Sequence, residues 1–376
     1  MSTERKKIVI AAGGTAGHVV PALAVADALR SEGVEVEFIG SERAEARIVP
    51  DAGYPLHTIS VEGLSRSNPL RAIRALVRAA AAVARARVIL AALAPDAVMG
   101  GGGYVAGPVA LAALTRRIPI VLTEADSRLG LTNRMLAPFA RRVCLSFPPS
   151  RPRRTWRWRT LGRAARASVR DGRVGKFRVT GRPLFRPTQD RRAARERFGV
   201  EPEQPCVLVF GGSLGSQSIN RAALAALTGS SFHVLHVCGS RDFRALAAGT
   251  LPAGYDLREY LPEADFPQAL AAADLVVARS GGSVFELAAH SLPAILVPYP
   301  HAAGDHQSAN AAWMSAAGAA IVIPDDELTP PRLAREVASL LADRARLAAM
   351  ASASGRLARP QAAAEVAAEL LEAARR

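Results

Sequence analysis

Short apolar runs alternate with amphipathic segments through the first part of the chain. In one such segment Ala22, Val25, Ala26 and Leu29 repeat at the spacing of a single helix face. The apolar runs, which predict strands, are 7–12, 34–39, 97–99, 118–122 and 142–146. Strands that alternate with helices favour a parallel sheet with helices on both faces.

The same order of elements begins again near residue 205. A strand at 205–210 leads into a glycine-rich turn at 211–216 and a helix at 220–227. Further strands are predicted at 233–238, 256–261, 274–278, 294–298 and 319–323, and a final helix at 361–374. We therefore predict an α/β protein of two doubly wound domains that face each other across a cleft, with ligands beyond the carboxyl ends of the strands.

Composition agrees with two domains of ordinary size. The 376 residues suffice for two cores, and 49% hydrophobic but only 5% aromatic content predicts cores of Ala, Val and Leu. No apolar run approaches the roughly 20 residues that cross a bilayer, and the N-terminus shows no secretory segment. Cys144, Cys206 and Cys238 lie isolated in apolar runs without metal-ligand spacing, so we expect buried thiols in a reducing cytoplasm.

The net charge of +15 is concentrated in one segment. Residues 151–178 contain eleven Arg and Lys residues against the single acid Asp171, together with Trp156 and Trp158. Such a segment is typical of contact with an anionic membrane, of a solvated insert, or of binding to single-stranded nucleic acid. We expect membrane contact before a solvated insert, and nucleic acid last.

The turn after the first strand is the most informative motif. Residues 11–18 are Ala-Ala-Gly-Gly-Thr-Ala-Gly-His, so a glycine-rich turn leads into a predicted helix with His18 at its N-terminus. Free N–H groups at a helix N-terminus favour negative charge, and histidine titrates near neutral pH. Three interpretations fit: a base beside an anion site, a dinucleotide-binding loop with Glu42 on the ribose, or a histidine that only caps or packs the helix.

Three polar motifs in the second half follow predicted strands. The turn at 211–216 offers backbone N–H groups and the Ser213 hydroxyl to a diphosphate. The segment 279–286 opens a helix with Glu286, whose carboxylate suits a ribose diol or simply complements the helix dipole. The loop 298–310 contains Gln307 and Asn310, which suit sugar hydroxyls, and it lacks the spacing of a metal site.

Five ordered motifs together resemble the MurG-type N-acetylglucosamine transferases across nearly the whole chain. They are Gly13-Gly14-Thr15-Ala16-Gly17-His18 with Pro21-Ala22-Leu23-Ala24, Gly101-Gly102-Gly103-Tyr104-Val105-Ala106-Gly107-Pro108, Gly130-Leu131-Thr132-Asn133, Gly211-Gly212-Ser213, and Asp305-His306-Gln307 with Asn310-Ala311. The resemblance implies a GT-B fold and an inverting transfer of N-acetylglucosamine from UDP-N-acetylglucosamine to the 4-hydroxyl of the muramyl sugar of lipid I, giving lipid II for peptidoglycan. The alternatives are a related UDP-sugar transferase or epimerase with another acceptor, and a scaffold without chemistry.

The resemblance also implies roles for residues of this sequence. His18 would be the general base, with UDP-N-acetylglucosamine as a substrate and no separate cofactor. The donor-binding residues would be Thr15, Ala16, Gly17, Asp126, Arg186, Ser213 (diphosphate), Leu261 (uracil), Gly282, Ser283, Glu286 (ribose), Gln307 (donor sugar) and Asn310. The acceptor side would be formed by Gly102, Gly103, Tyr104 and Asn133. The implied domains are 1–178 with a basic insert at 151–178, 179–357 for the UDP-sugar, and a C-terminal helix at 358–376 that crosses back.

The chain departs from the family pattern in several places. Ala16 stands where glycine is usual, and Thr123-Glu124-Ala125-Asp126 replaces His-Glu-Gln-Asn, which adds a negative charge. Gly181-Arg182-Pro183-Leu184-Phe185-Arg186 replaces Gly-Asn-Pro-x-Arg, so either Arg182 or Arg186 takes the role of the family's arginine. The segment 282–285 is one residue shorter than usual.

A lipid acceptor implies a surface that meets the cytoplasmic face of the membrane. In the predicted helix at 69–87, an apolar stripe lies beside a row of arginines: Leu70, Ile73 and Val77 beside Arg71, Arg74 and Arg78. Such a helix dips its apolar side into the interface while its arginines meet anionic headgroups. The alternative is an ordinary helix whose apolar stripe packs in the core.

Overall fold

The computed structural model describes residues 5–61, 69–148, 173–188, 190–212, 214–262 and 264–375. Contacts along the chain divide it into two units. The first contains Met1–Phe185 and Arg359–Arg376, and the second contains Arg186–Ala358.

The first unit is built on an eight-stranded sheet. In chain order its strands are β1 (Lys7–Ala11), β2 (Glu35–Gly40), β3 (Leu56–Thr58), β4 (Ala97–Gly100), β5 (Ile120–Glu124), β6 (Arg142–Leu145), β7 (Arg173–Val174) and β8 (Phe177–Val179). They lie in the order β3-β2-β1-β4-β5-β6-β8-β7, and every neighbouring pair is parallel except β7 with β8. Since the chain runs outward from β1 in both directions, the sheet is doubly wound and its order reverses between β1 and β4.

Helices cover both faces of this sheet. They are α1 (Ala16–Ser31), α2 (Glu45–Asp51), α3 (Pro69–Leu93), α4 (Gly103–Thr115) and α5 (Leu131–Leu136). Side chains alternate between the two faces along a strand. Ile10 of β1 therefore packs with Leu29 of α1 on one face, whereas Val9 packs with Leu90 of α3 and Val109 of α4 on the other. All five are fully buried.

The second unit repeats this topology with six parallel strands. They are β9 (Cys206–Phe210), β10 (His233–Val237), β11 (Tyr255–Arg258), β12 (Leu275–Ala278), β13 (Ala294–Leu296) and β14 (Ala320–Val322), in the order β11-β10-β9-β12-β13-β14. Its helices are α6 (Arg191–Arg197), α7 (Gln217–Leu227), α8 (Ser240–Leu246), α9 (Phe266–Ala272), α10 (Val284–Ala289), α11 (His306–Ala316), α12 (Pro330–Ala342) and α13 (Arg344–Gly355). The order reverses between β9 and β12.

The last helix, α14 (Ala362–Ala373), belongs to the first unit. Leu370 is fully buried in the same core as Leu29 of α1. Glu369, only 8% exposed, accepts hydrogen bonds from Arg142 Nε of β6 at 2.7 Å and Arg178 Nε of β8 at 3.2 Å. Apolar packing and a nearly buried ion triad therefore hold α14 on the first unit.

Part of the segment predicted as a basic insert is sheet. Residues 173–179 form the hairpin of β7 and β8, and β8 pairs parallel with β6. Lys176 Nζ donates to the carbonyls of Ala137 at 2.8 Å and Pro138 at 2.6 Å, which ties the hairpin to the end of α5. The segment predicted as an insert at 151–178 therefore includes sheet from Arg173 onward, and residues 151–172 lie outside the described residues.

The buried thiols and His236 fit structural roles in the cores. All three cysteines of the chain are free and buried, as predicted. His236 is fully buried, with Nδ1 2.8 Å from the Tyr255 hydroxyl and Nε2 3.1 Å from Asn220 Oδ1, and burial lowers its pKa to about 4. Among the helices of the described ranges, none combines the length and the hydropathy of a membrane span.

The ion triad of α14 predicts a difference between two neighbouring glutamates. Glu369→Ala leaves two arginines without their buried carboxylate and is expected to lower the free energy of unfolding of the first unit by about 3 kcal/mol. Glu372→Ala removes a carboxylate that also pairs with Arg142, at 2.7 Å, but is 56% exposed, so it should cost no more than about 1 kcal/mol. Urea unfolding of both variants measures the difference, and equal midpoints would contradict this account.

Candidate active site

The turns after β1 and β4 meet where the strand order of the first sheet reverses. Gly103 has φ +74°, and a Cβ on it would lie 2.0 Å from the carbonyl oxygen of Gly13. Gly102 has φ +97°, and its Cβ would lie 2.7 Å from His18 Nδ1. Only glycine adopts such φ values without strain and leaves this space. The two turns therefore touch through their backbones, with the His18 ring against Gly102.

Glu45 of α2 fixes the first of these turns. Its side chain is fully buried, and it accepts hydrogen bonds from Gly14 N at 2.9 Å, from Ser41 N at 2.7 Å and from the Ser41 hydroxyl. A Cβ on Gly13 would lie 2.2 Å from Glu45 Oε1. Burial alone would raise the pKa of Glu45, but these hydrogen bonds hold it below its ordinary value. Glu45 is thus an ionised brace.

His18 lies in the first turn of α1, partly exposed. Its backbone N–H donates to the carbonyl of Thr15 at 3.0 Å, and its Nδ1 has no hydrogen-bond partner among the described residues. Burial lowers the pKa of His18, and the positive charge of Arg182 lowers it further, while the carboxylates of Asp126 and Glu45 oppose the shift. The imidazole is therefore neutral at pH 7 and able to accept a proton.

The carboxyl group of Glu124, at the end of β5, lines the same cavity as His18. The cavity is lined by Gly17, His18, Pro21, Ala22, Val25, Met99, Gly101, Thr123, Glu124, Ala125, Ser146, Arg182 and Pro183. Burial raises the pKa of Glu124, and hydrogen bonds from Asn133 Nδ2 at 2.9 Å, Gly130 N at 2.8 Å and Asp126 N at 3.1 Å offset this only in part. The cavity thus combines a base, a buried arginine and the buried carboxyl group of Glu124.

Residues predicted for the acceptor divide into exposed and structural ones. Tyr104 is 56% exposed at the start of α4, where it is open to a ligand. Asn133 is buried, and its Nδ2 donates to the carbonyl of Thr123 at 3.0 Å as well as to Glu124. In this arrangement Asn133 holds the turn after β5 in place.

In the second unit, the turns after β9 and β10 also touch. Gly215 has φ +73°, and its Cβ would lie 1.9 Å from the carbonyl oxygen of Cys238. Gly239 has φ +83°, and its Cβ would lie 2.5 Å from Gly215 N. Ser216 then caps α7 by accepting from Ile219 N. The diphosphate role predicted for Ser213 falls on a residue outside the described part of the chain.

A buried arginine organises the loops after β12 and β13. Arg279 Nη1 contacts Asp325 Oδ1 at 2.6 Å and donates to the carbonyls of Val297 and Pro298, both at 3.1 Å. Its Nη2 donates to Ser218 Oγ at 2.9 Å, which links these loops to α7. Arg279, which directly precedes the turn at 280–283, is therefore held by the loop after β13 and by α7.

The residues predicted for the donor sugar stand beside this turn. Asn310 is fully buried, and its Nδ2 donates to the carbonyl of Ser280 at 3.0 Å, so it ties α11 to the turn. Gln307 is half-buried, with Oε1 accepting from Tyr299 N at 3.0 Å. Of the two, Gln307 is the one that a ligand can reach without rearrangement of the core.

The remaining donor-side predictions take different positions. Gly282, Ser283 and Glu286 are half-buried at the start of α10, and Leu261 is buried shortly after β11. Thr15 and Gly17 are exposed at the start of α1, where the Ala16 side chain is not among those described. Arg186 is exposed and begins the second unit, whereas Arg182 is buried in the His18 cavity.

The structure shows which helix contains the predicted membrane stripe but does not describe most of its side chains. The stripe lies on α3, and the side chains of Leu70, Arg71, Ile73, Arg74 and Val77 lie outside those described. Arg78 is half-buried.

Sequence reasoning missed two bracing residues. Glu45 follows Ser41 by four residues, a spacing that also occurs at helix starts without any functional role. Asp325 is far in sequence from its partner Arg279, so no local motif joins them. Only the partners identify their roles.

The chain is similar to a known protein family and to transferases of several bacteria. The model of the glycosyltransferase family 28 N-terminal domain matches residues 8–145, and that of the C-terminal domain matches residues 206–369. A relative from Moorella thermoacetica is 42% identical over 94% of this chain and 95% of its own length. A relative from Methylococcus capsulatus is 40% identical over 98% of this chain and 99% of its own length. Both are named UDP-N-acetylglucosamine–N-acetylmuramyl-(pentapeptide) pyrophosphoryl-undecaprenol N-acetylglucosamine transferase.

Solved structures of similar fold include a transferase and an epimerase. The Acinetobacter baumannii MurG structure has a TM-score of 0.73 at 29% identity and covers 98% of this chain and all of that one. The Neisseria meningitidis UDP-GlcNAc 2-epimerase has a TM-score of 0.67 at 13% identity, with 98% of this chain and all of that one covered. At that identity the second likeness shows only the fold.

Two Rossmann-like domains and these likenesses define a transferase of the GT-B fold class, as the sequence predicted. The chain belongs to glycosyltransferase family 28 and is a glycosyltransferase.

The contact between the glycine turns predicts the effect of one methyl group. Gly103→Ala is expected to cost about 1–2 kcal/mol for the left-handed backbone, and about 1–3 kcal/mol more for displacing the Gly13 carbonyl. Gly53→Ala is the matched control, because Gly53 has φ +76° but no atom within 4 Å of its Cβ position. Urea unfolding of both variants separates the two costs, and equal losses would contradict the close approach.

Proposed function

We propose that this chain transfers N-acetylglucosamine from UDP-N-acetylglucosamine to the 4-hydroxyl of the muramyl sugar of undecaprenyl-pyrophosphoryl lipid I, forming lipid II. The observation that supports this most is similarity over the full length: relatives bearing the transferase name are 36–42% identical over 93–98% of the chain. The neutral imidazole of His18 at the mouth of α1 supplies the base that such a transfer needs.

The proposed reaction is a single displacement. His18 accepts the proton of the acceptor hydroxyl while the hydroxyl oxygen attacks C1 of the donor sugar. The bond between C1 and the β-phosphate oxygen breaks, UDP leaves with the electron pair, and the configuration at C1 inverts. The low pKa of His18 suits this step, because the ring stays unprotonated until the hydroxyl arrives.

On the donor side we assign roles by position. The N–H groups at the start of α7, together with Ser213, bind the diphosphate. Glu286 accepts hydrogen bonds from the ribose, Gln307 contacts the sugar, and Leu261 presents backbone atoms to uracil. The half-buried positions of Glu286 and Gln307 support these roles.

Replacing the base tests the proposal directly. His18→Ala is expected to lower turnover about 10²–10⁴-fold, the usual contribution of a general base, while UDP affinity stays within twofold. Transfer of radiolabelled N-acetylglucosamine to a short-chain lipid I analogue measures the rate, and calorimetry measures UDP binding. His57→Ala is the control, because His57 pairs with Glu37 at 2.6 Å on the β3 edge of the sheet. Unchanged turnover in His18→Ala would remove His18 from this role.

We propose further that the first unit rests on an anionic membrane surface at the cytoplasmic face. Besides the stripe predicted on α3, exposed apolar side chains lie on α5 and just after it: Leu131 is 53% and Met135 66% exposed within the helix, and Phe139, in the turn that follows it, is 66% exposed. Leu111 of the adjacent α4 is 47% exposed, and Lys176 is tied to the same end of α5. Apolar side chains with basic neighbours are typical of interfacial contacts.

The α5 surface predicts a loss of vesicle binding. Met135→Ser with Phe139→Ser is expected to weaken binding to vesicles containing phosphatidylglycerol at least about tenfold, because each apolar side chain contributes on the order of 1 kcal/mol or more. Phe185→Ser, which removes another apolar side chain that is 46% exposed, is the control. Vesicle co-sedimentation measures both, and equal binding of the double variant and the native chain would contradict this surface.

A further inference from the structure

A proline in α1 leaves one backbone acceptor without its helical partner. Pro21 lies inside α1 and has no N–H, so the i to i+4 hydrogen bond to the carbonyl of Gly17 cannot form. Arg182 Nη2 donates to that carbonyl instead. The residue after Gly17 is His18, so the arginine holds the same helical turn that contains the base.

The backbone of Arg182 is itself fixed. The N–H groups of Thr180 and Gly181 both donate to the carbonyl of Leu145 at the end of β6, at 3.1 and 3.2 Å. Gly181 has φ +84°, and a Cβ on it would lie 2.5 Å from Arg359 Cβ. Arg182 is only 8% exposed. A side chain anchored in this way reaches α1 with little freedom to move.

Arg182 also places a permanent charge beside the base. It lines the same cavity as His18. The ionisable groups that act on the imidazole are Arg182 after β8, Asp126 after β5 and Glu45 of α2, and Glu124 of β5 lines the cavity as well. Burial disfavours a proton on His18, and among these described ionisable groups Arg182 does so as well, whereas Asp126 and Glu45 favour it. Arg182 and Asp126 are both departures from the family pattern, one positive and one negative.

We infer that Arg182 is a positioning residue for the transfer reaction: held on the Gly17 carbonyl that Pro21 leaves free, it fixes the turn that bears His18 and sets a positive charge beside the imidazole. This inference rests on the proposed role of His18 as the base. It assigns to Arg182 two separable effects, one on geometry and one on protonation.

Two substitutions separate charge from structure. Arg182→Gln removes the charge, so the pKa of His18 should rise and the acid limb of the kcat/KM profile should move to higher pH by about one unit. Activity at pH 6 then falls more than activity at pH 8. Arg182→Lys keeps the charge without the planar fork, so its rate falls while the acid limb stays in place. Arg192→Gln, at an 87% exposed side chain, is the control for charge removal.

A double variant isolates the geometric effect. Pro21→Ala restores an N–H opposite the Gly17 carbonyl, so Pro21→Ala with Arg182→Gln should regain part of the kcat lost in Arg182→Gln. Its acid limb should remain at the higher pH, since the charge is still missing. Recovery of both quantities, or of neither, would overturn the division of roles.

Direct titration of His18 keeps this test independent of turnover. Chemical shifts of labelled histidine, assigned with His18→Gln, give the midpoint in the native chain and in Arg182→Gln. We expect a higher midpoint in the variant, and equal midpoints would overturn the inference. If the native chain transferred no sugar yet the midpoint still moved, the proposed function would fail while the effect of Arg182 on His18 would stand.

Discussion

Backbone touches backbone where the turns after β1 and β4 meet, and the site of the first unit depends on that contact. The carbonyl of Gly13 occupies the space where Gly103 would have a Cβ, and Gly102 leaves room for the imidazole of His18. Glu45 holds the first turn through its buried carboxylate. Since the two turns sit at the reversal of the strand order, this contact brings the start of α1 to the position where doubly wound sheets bind ligands.

The second unit also has two turns in backbone contact and a buried charged side chain that joins its loops, but the residues differ. Gly215 and Gly239 bring two turns together, as Gly13 and Gly103 do in the first unit. The brace is a cation here: Arg279 joins three loops through Asp325, Ser218 and two carbonyls. In both units a buried charged side chain is stabilised by hydrogen bonds to loop backbone, because a buried charge without partners would be costly.

In the first sheet the sequence predicted the central strands well and the edge strands poorly, whereas in the second sheet the edge strands β11 and β14 were predicted as well. Central parallel strands are buried on both faces and therefore stand out as continuous apolar runs, as β1 and β9 do. The edge strand β3 is Leu-His-Thr, and β7 and β8 contain Arg173 and Arg178, so their composition suggested loop and insert.

Within the site, motifs located the glycines and His18, because tight turns and helix starts have local signatures. The braces Glu45, Arg182 and Arg279 have no such signature. Their roles come from partners distant in sequence: the hydrogen bond from Arg182 to Gly17 spans 165 positions. Amide side chains look alike in a sequence, so the sequence could not distinguish Asn133 and Asn310 from Gln307. The structure shows that Asn133 and Asn310 are buried connectors.

The central claim is that this chain is an inverting transferase with the lipid-linked muramyl sugar as its acceptor. The most direct test is the anomeric configuration of the product formed by the native chain from UDP-N-acetylglucosamine and a short-chain lipid I analogue, followed by NMR. We predict a β-linked disaccharide that appears only when the acceptor is present. An α-linked product, or epimerised donor without transfer, would contradict the account.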